Sequence, residues 1–178
     1  MRNVLTKFLV LPVVLLLAVG ASPNTGSSVP DYALVLVPGA GILPFKFSMT
    51  FEQAKALKIP GWTLLGWAKY EEWTSDGRYE REERLDFEHK DGSVSVYFRN
   101  GYMYLIEASS EVVWLGRKSV RDYTVGELIS TLGEPLVSLA YNLHWPKHHL
   151  RIEFVGSYAR SVRLYVWWWD EDLYGGRL

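Results

Sequence analysis

The side chains able to do chemistry in this sequence fall into a few sets. The first is the carboxylate group Glu71, Glu72, Glu80, Glu82 and Glu83, any pair of which could in principle share acid and base roles on a glycosidic bond. Lys69, Arg78, Arg81 and Arg84 interleave with them. That pattern reads better as ion pairs across neighbouring strands on a solvated face. The second set is His144, His148 and His149. If Pro146-Lys147 is a tight turn, His144 and His149 face each other and could hold zinc or copper, but a third firm ligand is missing. Polar residues at a hairpin tip are the plainer account, so neither a metal nor a cofactor is expected. There is no cysteine nucleophile, no Gly-x-Ser-x-Gly elbow, no Walker loop and no dinucleotide glycine pattern. The expectation is a protein that is not an enzyme.

The third set is aromatic. Tryptophan and tyrosine number 8 and 11, and aromatic residues make up 15% of the chain. Such side chains stack, bury large areas and dominate contacts between proteins. Charge, by contrast, is balanced at 19 basic and 20 acidic residues, without the basic excess of nucleic-acid binders. No nucleic-acid partner is expected.

The elements that position these residues start after an export signal. Arg2 and Lys7 precede the apolar run Phe8 to Val19, and Gly20-Ala21-Ser22 supplies the small residues of a cleavage site. The run is shorter than the ~20 residues of a membrane span and contains Pro12. Residues 1–21 are therefore expected to be a cleaved signal peptide, leaving no stable membrane insertion. Residues 22–31 read as a flexible polar leader. Without cysteine, the mature chain has neither disulfides nor a cysteine-borne lipid. A periplasmic or secreted location follows.

Downstream, one pattern occurs twice. Ser48 to Pro60 and Tyr123 to Pro135 each open on a threonine, Thr50 or Thr124, with Gln53 or Glu127 placed to complete a capping box. Apolar residues then recur at helical spacing: Phe51, Ala54 and Leu57, then Val125, Leu128, Ile129 and Leu132. A meander of strands follows each helix. Asp76-Gly77, Asp91-Gly92 and Asn100-Gly101 are hairpin signals between alternating runs. Two-residue turns there set Leu85 opposite Phe98, Phe98 opposite Met103, Val96 opposite Leu105, and Lys69 near Arg84. Leu85, Phe87, Val94, Val96, Phe98, Met103 and Leu105 then share a core face covered by the helix. Trp67, Trp73, Tyr97, Tyr102, Tyr104 and Ile106 share the other. In the second meander Leu143 falls opposite Leu150, and a last strand turns Tyr165, Trp167 and Trp169 to one side. The expected fold class is α+β: two tandem helix-plus-antiparallel-β-meander units, 32–108 and 109–178.

A helix opening on Met-Thr or Tyr-Thr, closing on Leu-Gly-Glu-Pro and followed by a meander resembles the repeat of the BamE (SmpA/OmlA) lipoprotein family. It is also similar to the tandem unit of the β-lactamase inhibitory protein family. The lipid-bearing cysteine of the first and the disulfides of the second are absent. The resemblance implies a non-catalytic protein whose aromatic sheet face binds another protein. That partner would be an enzyme it inhibits, a toxin it neutralises, or an envelope assembly component. The candidate contact residues are Trp67, Trp73, Tyr97, Tyr102, Tyr104, Tyr165, Trp167 and Trp169. The alternative is a module that stacks the same aromatics on glycan or peptidoglycan.

Overall fold

The computed structural model of the chain describes residues 28–73, 77, 79–139 and 141–165. The expected signal segment, most of the leader, and Trp167 and Trp169 lie outside the described residues.

The fold is mostly β, which overturns the expected α+β class. Among the described residues the α-helices are α1 (Phe51–Lys55) and α2 (Val125–Leu132), of 5 and 8 residues. At 1.5 Å per residue they are about 8 and 12 Å long, whereas eight strands at 4.8 Å spacing span about 34 Å. Helices this short cannot roof the sheet. A second sheet does so.

The large sheet is antiparallel throughout. Its strands are β4 (Thr63–Trp73), β5 (Tyr79–His89), β6 (Gly92–Arg99), β7 (Tyr102–Ser109), β10 (Val137–Leu139), β11 (Asn142–Trp145), β12 (Leu150–Val155) and β13 (Tyr158–Tyr165). They run in the order β10-β11-β12-β13-β7-β6-β5-β4, so β7, which crosses the expected boundary at 108/109, pairs directly with β13 of segment 109–178. The small sheet comprises β1 (Leu34–Val37), β2 (Gly41–Leu43), β3 (Phe45–Lys46), β8 (Val113–Leu115) and β9 (Lys118–Ser119), with β1 and β8 parallel.

One core cluster joins the layers. Leu34, Leu36, Ile42 and Phe45 of the small sheet meet Leu85, Phe87, Val94, Val96 and Phe98 of the large one. The rings of Phe45 and Phe87 lie 5.3 Å apart, and Phe51 of α1 meets Phe98 edge-on at 5.5 Å. Both capping boxes form, Thr50 with Gln53 and Thr124 with Glu127. Helix α1 stops early because Leu57-Lys58-Ile59-Pro60 alternates like extended chain, and the residue before a proline avoids the helical region.

The turns decide which residues share a face. Asn100 and Gly101 both adopt positive φ, 50° and 85°, making a two-residue hairpin that sets Phe98 opposite Met103 as expected. One step further the register shifts. Tyr97 pairs with Leu105 and Val96 with Ile106, leaving Tyr104 as the extra residue of a bulge. Ile106 and Ala108 therefore enter the core, and Leu105 turns to the other face. This reverses the expectation for Leu105 and Ile106. At the β5–β6 turn Leu85 pairs with Val96 rather than Phe98, a slip of two that leaves the faces unchanged.

Candidate functional site

The β4–β5 hairpin is the part of the large sheet where aromatic residues stand exposed on both sides. Its two halves differ in sequence. Near the β5–β6 turn, Leu85 and Phe87 are buried beneath the small sheet and His89 is buried against Tyr32 and Trp62. Toward the tip the same face carries Tyr79, Arg81 and Glu83 from β5, with Trp67, Lys69, Glu71 and Trp73 from β4. Glu83, only 5% exposed and ion-paired to Arg81, marks the border between core and arm. Trp67 is 54% exposed and Trp73 73% exposed. The rings of Trp73 and Tyr79 lie 5.4 Å apart at 59°.

Trp67 and Trp73 thus occupy the side that the core face continues into, not the side of Tyr97. The cause is the register. Trp73 pairs with Tyr79 and Lys69 with Glu83, a register one residue away from the one that a two-residue Asp76-Gly77 turn would set. An offset of one residue turns every side chain of a strand over. A second bulge, at Leu65, lets Leu64 and Trp67 both point toward the core side. Trp67 leans edge-on against Phe51 at 6.2 Å, with the Lys55 ammonium 5.3 Å above its ring. Lys55 also borders a groove of about 750 Å³ lined by Leu57, Ile59, Trp62 and Leu64.

The open face of the sheet is a lattice of paired charge. Along one cross-strand row Tyr70, Glu82, Arg99 and Tyr102 stand side by side. Arg99 binds Glu82 and, at 3.4 Å, Glu80, and its guanidinium lies 5.2 Å over the Tyr104 ring. The Tyr104 hydroxyl donates to Glu82 Oε1 at 3.1 Å. Burial, and then the Glu82 charge, push that hydroxyl up to about 12. In the next rows Arg84 donates to Asp86 at 2.7 Å and covers the Tyr97 ring, while Arg163 binds Glu107 at 2.6 Å. Burial raises Tyr97 as well. On the arm itself, Lys69 is ion-paired to Glu71 and holds that carboxylate below its usual range.

The expected contact set is therefore divided. Trp67 and Trp73 share one side of the arm. Tyr97, Tyr102, Tyr104 and Tyr165 belong to the open face, where Tyr102 is 74% exposed but Tyr104 and Tyr165 are each 7% exposed. Tyr104 is sealed in as the bulge residue, and Tyr165 lies against His144 with ring centres 5.4 Å apart. The expected cross-strand pairing of His144 with His149 does not occur. His144 faces Arg151, because Pro146–His148 forms a short 3₁₀ turn with His149 in the left-handed region beyond it. Among the described residues no cluster of three or more His, Cys, Asp or Glu side chains could hold a metal ion. Tyr70 and Tyr79, exposed on opposite sides of the arm, were missed. Their period-two placement among charges was visible, and only the register between the two strands concealed their faces.

No known protein family, curated protein or solved structure matches the chain.

Proposed function

We propose that this chain is an exported, non-enzymatic protein that binds another protein through the aromatic arm of its large sheet. One observation carries the reading. Trp67, Tyr70, Trp73 and Tyr79 of the β4–β5 hairpin, with Tyr102 at the adjoining turn, are large aromatic residues left exposed together at one end of the sheet. Asn100 binds that turn to the arm through the backbone of Arg81. Tryptophan, tyrosine and arginine are the residues that contribute most when proteins associate. The polar groups of the open face also favour binding over catalysis. Glu82, Asp86 and Glu107 are each bonded to an arginine of the same sheet, a solvated and mutually satisfied arrangement. The 59° tilt between Trp73 and Tyr79 favours a shaped protein surface over the flat platform a pyranose ring uses.

Export is part of the proposal and rests on the residues at 1–21. No helix among the described residues is long and apolar enough to cross a membrane. The partner class is an enzyme, a toxin or an envelope component.

The test uses the mature chain as bait in cross-linked envelope extract, beside Trp73→Ala and Tyr102→Ala. Both side chains are about three-quarters exposed, so neither change should disturb the fold. A protein retained by the wild type and lost with either variant, at unchanged melting temperature, is the expected result. Retention of every protein by both variants, with loss of peptidoglycan or polysaccharide binding instead, would assign the arm to glycan.

A further inference from the structure

The large sheet ends in an uncommonly long open edge. Strand β4 has 11 residues, and among the described residues it pairs only with β5. The opposite edge, β10, has 3 residues, and the edges of the small sheet, β3 and β9, have 2 each. Short edges resist pairing, whereas a long, apolar one is a template for another strand. β4 is long and bears Trp67, Tyr70 and Trp73, all exposed. The bulge at Leu65 interrupts its regular register, leaving Gly66 to Trp73 as the uninterrupted stretch.

That stretch is complementary to itself. Placed antiparallel to a copy of itself with Tyr70 on the two-fold axis, it sets Lys69 opposite Glu71 of the copy and Glu71 opposite Lys69. The same register sets Trp67 beside Trp73 of the copy at both ends. Moving the axis to Lys69 or to Glu71 instead places like charges face to face, which is destabilising. Only the Tyr70-centred register keeps the small sheets of both copies on one side while matching these charges. A shared patch meeting itself is the geometry of an isologous dimer.

We propose that the outer edge of β4 pairs antiparallel with β4 of a second copy of this chain, centred on Tyr70, joining two eight-stranded sheets edge to edge. Edge pairing leaves both faces of each arm exposed, so this dimer is independent of the heterologous partner proposed above. It brings the tryptophans of two copies into one row.

The absence of cysteine from the chain makes the register directly measurable. Directly opposed residues of an antiparallel pair have Cβ atoms about 4.5–5.5 Å apart, close to disulfide reach. Tyr70→Cys in purified protein should therefore form a covalent dimer under mild oxidation. Ala68→Cys on the same face should not, because its own copy lies about 13 Å along the pair at 3.3 Å per residue. In sedimentation equilibrium, Lys69→Glu and Glu71→Lys should each weaken association about tenfold, since each turns both symmetry-related charge pairs repulsive. The double variant, and a mixture of the two single variants, should associate like the wild type. A wild-type chain that stays monomeric at every concentration overturns the proposal. So does a dimer indifferent to the charge reversals, or one in which Ala68→Cys cross-links as readily as Tyr70→Cys. Only purified chain is used, so failure here leaves the extract experiment standing, and the reverse.

Discussion

Replacing Tyr104 by phenylalanine removes one oxygen from an enclosed part of the open face. The lost hydroxyl donates to Glu82 Oε1 at 3.1 Å, and a hydrogen bond to a charged acceptor is worth about 1.5–3 kcal/mol. Glu82 keeps its pairing with Arg99, so the net loss at neutral pH should fall near the middle of that range, about 2 kcal/mol. The pH dependence is the sharper quantity. Burial and the Glu82 charge raise the hydroxyl to about 12, against an ordinary value near 10. At 1.36 kcal/mol per pH unit, that difference is worth about 2.7 kcal/mol between protonation states. Because the folded value is raised, the contribution is complete below pH 10 and is lost as the pH climbs toward about 12. The stability gap between wild type and Tyr104→Phe, read from urea titrations between pH 7 and 12, should therefore close as the pH rises. Tyr102→Phe, altered at an exposed ring, serves as the control and should cost little stability at neutral pH. A gap that persists unchanged through pH 12, or widens, would refute the account of the Glu82–Arg99–Tyr104 cluster.

Two further outcomes concern the frame. A Cβ added at Gly92 would lie 2.8 Å from Ser109 Cβ and 3.1 Å from Val112 Cγ1, so Gly92→Ala should cost about 1–3 kcal/mol in chemical denaturation. Ser109→Gly in the same chain should recover part of that loss; simple additivity of the two changes would show that crowding is not the cause. Glu127 accepts from Lys118 at 2.7 Å and from the Thr124 amide at 2.8 Å, and Lys118 first, then Thr124, draw its carboxyl down to about 2. Its depressed value means that the cap contributes above the ordinary carboxylate range and is lost as the pH falls through about 2. A carboxyl resonance of Glu127 titrating near 4 in NMR would contradict this.

What was legible in the residues follows from how local the signal is. The Thr50 and Thr124 capping boxes use partners three residues away, and both form. Asn100-Gly101 states its own φ values, and the hairpin it predicts is there. The bulge at Tyr104 has no such mark. Its sequence, Tyr-Met-Tyr-Leu-Ile, alternates no differently from a regular strand, and only the demand that Ile106 and Ala108 fill the core selects the shift. Asp76-Gly77 misled for a related reason. A dipeptide that favours a tight turn does not by itself fix the register of the strands beside it, and with the faces of an arm both wet, no buried pattern fixes it either. The second sheet was hidden more deeply. Its strands have 2 to 4 residues, and Leu34 pairs in parallel with Val113, a contact that no neighbouring residue announces.

The division of the aromatic set narrows the partner proposed for the arm. A flat face of tryptophan and tyrosine would suit a flat ligand lying on the sheet. An arm with Trp67, Trp73 and Tyr79 on one side and Tyr70 on the other, beside Tyr102, suits a partner that contacts both of its faces. Two strands alone are at best marginally stable in water. Here the strands extend past the roof of the core, held by the ladder to β6 and by ion pairs of Lys69 with Glu71, Arg81 with Glu83 and Arg99 with Glu82. These pairs contribute little to global stability at such exposure. It is the β4–β5 ladder, continuous from Gly66 to Trp73, that makes the arm extended before any contact is made. Ordering a mobile loop on binding would cost about 0.5–1.5 kcal/mol for each immobilised side chain. A preformed arm avoids much of that cost.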